Sequence, residues 1–378
     1  MLMDIITVLG SATLVATVFH SLHFPLLVGF LFTGMIIGPH AFQLIDTQLK
    51  VDVVTELASV LLMFTIGLEF SLKKLIQFRK VLLSFGMTQV MMTVFCVFFF
   101  LIIFFDQTWN KALFFGFLFS LSSTAVALKL LHENRDVETP YGQTSLGILL
   151  FQDIAVIPMM LIIPMLSNTS LNQEYHFSLL SFLAKSLLIV SVVFLGRFFV
   201  PWALHKVVRT RSRELFFFFM LFLFVSCAYF MKQLGLSLSL GAFIAGMLIA
   251  ESPYGKQAMS DFEPLRDNFL GIFFVAVGMM LDLSFLTHHI LIVIILTLII
   301  LIMKAVIIFC ICWFFGHPGK ISFVVAGILF QMGEFSFVLA QLGVDKSIIT
   351  FEEKQYFLAI SVISFLLTPF VYELLRKK

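Results

Sequence analysis

Charged residues are scarce in this chain, and their scarcity excludes a soluble fold. Asp, Glu, Lys and Arg make up 12% of the 378 residues, whereas 60% are hydrophobic and the mean hydropathy is +1.07. Soluble globular proteins carry about 25% charged residues, and no compact core could hide this much apolar surface. The composition therefore predicts the lipid bilayer as the main partner of the chain, and we expect no nucleic-acid partner.

Cysteines and catalytic motifs are also few. The four cysteines all lie within apolar segments, which argues against a disulfide framework or a zinc site; they are Cys96, Cys227, Cys310 and Cys312. The sequence has no paired nucleophile and base, no cluster of metal ligands and no glycine loop that would cradle a phosphate. We therefore expect neither an enzyme nor a resident cofactor or metal.

Long apolar runs occur along the whole sequence and predict membrane helices. Crossing about 30 Å of hydrocarbon takes about 20 apolar residues in a helix. Barrel strands would alternate apolar and polar residues, whereas residues 290–302 are apolar without interruption apart from one threonine. The predicted fold class is an all-α integral membrane protein of about thirteen transmembrane helices. The predicted segments are 4–22, 25–39, 53–70, 81–105, 111–131, 142–166, 177–204, 213–231, 236–250, 264–283, 285–315, 320–342 and 354–375.

The distribution of Lys and Arg predicts the orientation. With thirteen helices, sixteen of the 24 basic residues fall on the face that also carries the C-terminus. Cytoplasmic loops collect Lys and Arg, so we expect a multi-pass protein of the inner (plasma) membrane with its N-terminus outside and its C-terminus in the cytoplasm. The first segment starts with Asp4 and has no cleavage site after it, which predicts a retained helix.

Asp153 is a carboxylate at membrane depth. It lies roughly 15 Å along a helix that is predicted to start near Thr144, and a charge in the hydrocarbon centre costs about 3 kcal/mol or more. Such a group can bind either a proton or a cation, although it can also pair with a fixed cation for structural reasons. The neighbouring Gln152 offers a carbonyl to a cation and an amide to a carboxylate, or it forms a hydrogen bond between helices.

Lys304 is a second charge at membrane depth. It interrupts the longest apolar run, too far from either end to reach the interface comfortably. Two readings are open for this lysine. It either anchors a carboxylate or the C-terminal end of a helix, or it takes a direct part in transport.

Two further stretches are small or polar where lipid-facing helices would be apolar. They contain Ser122, Ser123 and Thr124 in segment five, and Gln331, Gly333 and Glu334 in segment twelve. Such stretches occur where membrane helices are broken at a substrate site, although small residues also permit close helix packing. The two segments hold equivalent places in an order of two six-helix units, 1–166 and 213–375, separated by a linker helix at 177–204. This order predicts inverted repeats with crossed broken helices five and twelve within a single transmembrane domain covering residues 1–378.

Four stretches of the sequence resemble the monovalent cation:proton antiporter-2 family, and most of all its Kef-type potassium efflux antiporters. The stretches are 147–158, which contains Phe-Gln-Asp, 122–125, 240–246 and 273–279. The resemblance covers about residues 10–370. It implies a sodium/proton-antiporter-like fold with a dimerisation domain and a mobile core domain, and hence a homodimer.

The same resemblance assigns roles to individual residues. Asp153 would be the ion-binding carboxylate, Gln152 its neutral neighbour, and Lys304 and Glu334 supporting charges. Kef-type antiporters also continue into a cytoplasmic nucleotide-binding domain, whereas this sequence stops at Lys378. We therefore expect either that the chain is truncated or that its regulation differs, with a cytoplasmic regulatory domain or subunit as a partner. The loop after segment nine keeps Asp261 and Glu263 from the acidic regulatory stretch of glutathione-gated members, which is a partial match.

The expected function is monovalent cation:proton antiport through Asp153. Likeness to the Kef type favours potassium, and one titratable carboxylate favours electroneutral exchange of one cation for one proton. Sodium/proton antiport and a channel-like efflux system are the alternatives. A channel would need a filter of carbonyls or a ring of charges, and no such filter occurs in the sequence.

Overall fold

The structure is a computed structural model that describes residues 2–21, 26–45, 57, 60–65, 67–68, 81–167, 179–234 and 238–377. These residues form helices and short connections, and no β-strand occurs among them. The prediction of an all-α fold is therefore confirmed. We number the helices of the described ranges α1 to α14 in chain order.

The helices vary widely in length because several membrane segments are interrupted. Their bounds are α1 Leu2–Ser21, α2 Leu26–Ile37, α3 Met87–Phe105, α4 Trp109–Ser120, α5 Thr124–Glu133, α6 Pro140–Ile162, α7 Leu179–Val208, α8 Arg213–Gln233, α9 Leu238–Ala250, α10 Gly255–Met279, α11 Leu283–Phe314, α12 Gly319–Leu329, α13 Glu334–Asp345 and α14 Phe351–Lys377. A π-helical turn, Leu82–Gly86, precedes α3, and a 3₁₀ turn, Ile163–Leu166, follows α6.

Within the described ranges, seven helical stretches are long and apolar enough to cross a membrane, or eight if the bent pair α12 and α13 is one span. Four shorter apolar helices lie at 6–19, 26–37, 238–250 and 268–279. Each predicted segment except 53–70 coincides with one of these stretches. Half of segment 53–70 lies outside the described residues, so the total of thirteen is approximate.

The described residues cluster into two compact units. The first unit contains Met1–Asp52, Phe78–Asn168 and Phe274–Lys378, and the second contains Val53–Gln77 and Thr169–Phe273. In the first unit α11 and α12 pack against α14, α12 packs against α6, and α3 packs against α4. In the second unit α7, α8 and α9 pack against one another. All residues of the site described below belong to the first unit.

Glycines allow two elements of the first unit to touch backbone to backbone. A Cβ atom added at Gly34 in α2 would overlap the carbonyl oxygen of Val275, and one added at Gly278 would overlap the carbonyl oxygen of Leu31. The contact is therefore reciprocal, with each glycine facing a backbone carbonyl of the other segment. Small residues at such positions let membrane helices approach closely and gain packing energy.

We expect Gly34→Ala to destabilise the protein by about 1–3 kcal/mol, because the added methyl group meets a backbone oxygen that can move only with its helix. Gly10→Ala in α1 is the matched control, since nothing lies within 4 Å of the added Cβ there. Helix propensity alone predicts that this control gains up to about 1 kcal/mol. Thermal unfolding in detergent measures both variants, and equal midpoints would contradict the close contact.

Candidate ion-binding site

Segment five is interrupted at the short stretch that the sequence marks as polar. Helix α4 ends at Ser120, and Leu121 turns to an extended conformation with φ −87° and ψ 148°. Ser123 then caps α5, because its Oγ accepts a hydrogen bond from the Val126 amide at 3.2 Å. Serine is common at the N-cap because its side-chain oxygen accepts a hydrogen bond from a backbone amide that has no partner within the helix. Three residues therefore separate two half-helices.

Segment twelve is interrupted in the same way. Helix α12 ends at Leu329, α13 begins at Glu334, and the two axes differ by 46°. Gly333 lies at the N-cap of α13 in an extended conformation, with φ −97° and ψ 152°. The Met332 amide in the break donates to Ser364 Oγ of α14 at 3.2 Å. The prediction that segments five and twelve are broken is confirmed.

The two breaks are hydrogen-bonded to each other. Ser122 Oγ donates to the Leu329 carbonyl at 2.7 Å. The Ser123 amide donates to Gln331 Oε1 at 2.9 Å, and Gln331 Nε2 donates back to the Ser123 carbonyl at 3.1 Å. A Cβ atom on Gly333 would lie only 3.0 Å from the Ser122 carbonyl oxygen. Backbone groups that the helices leave unpaired are thus satisfied across the breaks, as burial in a membrane requires.

Lys304 lies at the C-terminal ends of both first half-helices. It is fully buried, at 0% exposed, in α11. Its Nζ donates to the carbonyl of Leu121, just after α4, and to the carbonyl of Gln331, just after α12, the latter at 2.8 Å. Helix C-termini carry partial negative charge, so the ammonium is held by two of them at once. Of the two readings of Lys304, the contacts favour the helix anchor.

Glu334 lies at the N-terminal ends of the second half-helices. It is the first residue of α13 and is 4% exposed. Its Oε1 accepts from the Ala125 amide in the first turn of α5 at 3.4 Å. Helix N-termini carry partial positive charge and exposed amides. The carboxylate of Glu334 therefore offsets the partial positive charge of helix N-termini, and the ammonium of Lys304 offsets the partial negative charge of helix C-termini.

Asp153 occupies the middle of its membrane span. The span Pro140–Leu166 places thirteen residues on either side of it, and its side chain is 9% exposed. Thr124 Oγ1, at the start of α5, lies 3.3 Å and 3.4 Å from the two carboxylate oxygens of Asp153. The carboxylates of Asp153 and Glu334 thus both contact the first turn of α5. Helix α6 begins at Pro140, two residues before the predicted segment 142–166 and four before the start near Thr144 that was used to place Asp153.

The earlier start of α6 has a local cause. Thr139 Oγ1 accepts from the Gly142 amide at 3.1 Å, and Pro140 occupies the first helical position. Proline fits there because its fixed φ suits a helix and no amide hydrogen is needed. Hydropathy alone did not detect this start, since the first turn of the helix is polar.

Gln152 holds the break of segment five and is bonded to a residue that the sequence interpretation missed. Its Oε1 accepts from the Ser122 amide at 2.7 Å, and its Nε2 donates to Gln89 Oε1 at 2.7 Å. Gln89 Nε2 in turn donates to Thr93 Oγ1 at 3.0 Å and to the Ser120 carbonyl at 3.1 Å. Gln89 could have been found by the same rule as Asp153, because it is a polar side chain inside an apolar segment.

Asp261 and Glu263 are not in a loop, contrary to the prediction. Both lie in α10, which begins at Gly255 and continues through Pro264. The helix extends beyond its apolar part, and a hydropathy boundary therefore placed its start too late. Asp261 Oδ1 accepts from Nε and Nη2 of Arg213 at 3.0 Å and 2.6 Å. The side chain of Glu263 lies outside the described part of the structure.

The arrangement can bind and release a small monovalent cation. A buried carboxylate at mid-membrane gains stability from either a proton or a cation, because both neutralise its charge. Hydroxyl and carbonyl oxygens, such as those around the breaks, are suitable ligands for hard cations. Within the described residues, no group of three or more His, Cys, Asp or Glu side chains could hold a metal ion.

Comparisons with known proteins agree with this fold. Residues 9–375 match the family model described as the transmembrane sodium/hydrogen exchanger. The structure is similar to that of the sodium proton antiporter MjNhaP1 from Methanocaldococcus jannaschii at pH 8, with a TM-score of 0.72, 16% identity, and coverage of 99% of this chain and 97% of that chain. A 3D EM map of the same antiporter gives a TM-score of 0.66, 16% identity, and coverage of 99% and 94%.

The family model and the structures carry different information. At 16% identity, the likeness to MjNhaP1 shows the fold alone, whereas the family model covers nearly the whole chain. These comparisons do not support the narrower Kef-type likeness. The chain therefore belongs to the transmembrane sodium/hydrogen exchanger family, which consists of cation:proton antiporters and not of enzymes.

Proposed function

We propose that this protein exchanges sodium ions for protons across the membrane, and that Asp153 is the carboxylate for which the two ions compete. The observation that carries the proposal is the position of Asp153, which is buried midway along a membrane span beside the first turn of α5. A charge is costly at that depth unless its neutralisation is part of the function. The family of the chain supplies the class of reaction.

Competition at one carboxylate couples the two ion fluxes. Ionised Asp153 attracts a cation, and the Thr124 hydroxyl 3.3 Å away offers an oxygen ligand next to it. A protonated Asp153 is neutral and loses its affinity for the cation. Only the two neutralised states cross the membrane at low cost, so each cycle exchanges one cation for one proton. The proposed exchange is therefore electroneutral.

Glu334 and Lys304 have supporting roles in this proposal. Lys304 is bonded to the carbonyls that follow α4 and α12, and Glu334 accepts from an amide of α5. Each side chain thus offsets the partial charge of helix ends that the breaks create. Gln152 and Gln89 are hydrogen-bonded to the backbone of the first break, at Ser122 and Ser120. We therefore assign Gln152 a positioning role. A direct contact between Gln152 and the ion stays a prediction.

Sodium is favoured over potassium as the transported cation. The matching family model is named for sodium/hydrogen exchange, and the similar solved structures are of a sodium proton antiporter. Potassium/proton exchange is the second candidate, and the motif around Gln152 and Asp153, which resembles Kef-type antiporters, favours it. The order of affinity for the two ions depends on the size of the coordination shell.

The proposal is tested with the unmodified chain in proteoliposomes that carry an internal pH dye. After acid loading, external sodium is expected to alkalinise the lumen with saturation, and potassium at the same concentration is expected to act more weakly. Because the exchange is electroneutral, an imposed membrane potential should leave the initial rate unchanged.

Empty liposomes and an impermeant cation are the controls for this assay. A stronger response to potassium than to sodium would support the second candidate. Cation flux that follows voltage without proton movement would instead identify a channel and would overturn the exchange mechanism.

Orientation and assembly complete the proposal. The excess of Lys and Arg on one face supports a cytoplasmic C-terminus in an inner (plasma) membrane. The two similarly broken segments support two inverted repeats, at 1–166 and 213–375, and the Kef-type resemblance supports a homodimer and a cytoplasmic regulatory domain or subunit. Gating by glutathione through Asp261 and Glu263 has weaker support, because Asp261 is paired with Arg213.

A further inference from the structure

An apolar groove lies in the first unit, away from Asp153. It has a volume of about 290 Å³ and is formed by residues of α3, α4, α11 and α14 together with Gln107. Val97 and Phe100 line it from α3, Phe115 and Phe119 from α4, and Leu296 and Ile300 from α11. Its lining is almost wholly hydrocarbon and aromatic, so water is a poor occupant.

The groove is continuous with the lipid-facing surface of the same helices. Phe105 and Ile292 both line the groove and are exposed. Their neighbours Phe104 and Leu291 are about 70% exposed, at 71% and 70%. In a membrane protein, large apolar side chains with this exposure face lipid chains. The medium next to the groove mouth is therefore the hydrocarbon of the bilayer.

Polar groups are confined to one end of the groove. Gln107, Glu353 and Tyr356 lie there, where α3 ends and α14 begins. Glu353 Oε1 accepts from Lys111 Nζ at 2.7 Å, and its Oε2 accepts from the Thr350 amide at 2.7 Å. The Lys111 and Glu353 charges offset each other, so this end offers hydrogen-bonding groups at helix ends without a net charge from the pair.

We propose that this groove is a binding site for one acyl chain of a bilayer phospholipid, with the ester and headgroup region of the lipid at the Gln107 and Glu353 end. The apolar lining matches a hydrocarbon chain, and the polar end matches the point where the acyl chain joins its glycerol. Because the charges at that end are paired, we expect the groove to select a lipid by its acyl chain and not by its headgroup. Phosphatidylcholine and phosphatidylglycerol are therefore bound equally.

An acyl chain in the groove would contact the elements that hold the ion site. Phe119 precedes Ser120, the last residue of α4, and Ile300 lies one helical turn before Lys304. A chain that fills the space between them would stiffen α4 and α11 next to the first break.

The test is native mass spectrometry of the full chain, purified in a mild detergent after reconstitution with a single phospholipid. We expect one lipid retained per chain, for either headgroup. Leu296→Trp fills the groove and is expected to reduce the retained fraction at least tenfold. Leu298→Trp is the matched control, because Leu298 lies on the same helix, is exposed and does not line the groove.

One additional variant keeps the proposal testable if Leu296→Trp fails to fold. Ile292→Trp narrows the exposed mouth and should also release the lipid. Equal lipid retention in Leu296→Trp, Ile292→Trp and Leu298→Trp would overturn the proposal. So would a disulfide-linked dimer formed by Leu296→Cys but not by Leu298→Cys, because a second copy of the chain would then cover the groove.

Discussion

Asp153→Asn is expected to reduce sodium-driven proton movement in proteoliposomes to the background of empty vesicles. The amide can neither ionise to attract a cation nor carry the exchanged proton, so both half-reactions fail. A loss of at least about 100-fold is expected, which corresponds to about 2.7 kcal/mol. Folding should be preserved, because asparagine has nearly the same size and its carbonyl can still accept a hydrogen bond from Thr124.

Two other variants make this result interpretable. Asp153→Glu retains an ionisable carboxylate and should retain part of the exchange, which separates loss of charge from loss of shape. Glu373→Gln is a matched carboxylate control in the same unit, since Glu373 is exposed and paired with Lys377; it should keep the exchange. Sodium-dependent exchange at an unchanged rate in Asp153→Asn would exclude Asp153 as the coupling group.

Lys304→Met is expected to cause the largest loss of stability among single changes in the first unit. Methionine preserves much of the apolar stem and removes the ammonium. The carbonyls of Leu121 and Gln331 then lose their donor, and two helix C-termini remain buried without a compensating charge. Hydrogen bonds to a charged group contribute about 1.5–3 kcal/mol each, so the two bonds together predict a loss of about 3–6 kcal/mol, measured by unfolding in denaturant.

Lys111→Met is the matched control for this prediction. Lys111 Nζ lies 2.7 Å from Glu353 Oε1, but both side chains are about a quarter exposed, at 26% and 23%. Exposed ion pairs contribute at most about 1 kcal/mol. If Lys304→Met unfolds at the same denaturant concentration as Lys111→Met, the ammonium does not hold the half-helices.

Much of the fold followed from hydropathy because a bilayer imposes one strong rule, that spanning segments are apolar helices. The breaks were also predictable, since Ser122, Ser123 and Gly333 interrupt apolar runs with residues that favour caps and extended backbone. Membrane depth alone selected Asp153, Lys304 and Glu334 as candidates. The structure places these residues around the breaks, and their assignment to transport remains a proposal.

Other features depend on tertiary contacts that one sequence does not reveal. The bonds of Lys304 to two carbonyls join residues 183 and 27 positions apart in sequence, and no local pattern encodes them. Gln89 was missed because glutamine carries no charge and was not given the same weight as Asp153. The predicted start of α10 was wrong because a helix can continue through polar residues beyond the hydrocarbon region of the membrane.

The reciprocal bonding of the two breaks has a consequence for motion. An isolated interruption in a helix would act as a hinge, since unpaired backbone groups allow bending. Here Ser123 and Gln331 exchange two hydrogen bonds, and Lys304 fastens both interruptions through a single nitrogen. To flex one interruption would break bonds in the other. The half-helices are thus braced as one rigid body, and Asp153 travels with that body if the ion site is displaced during transport.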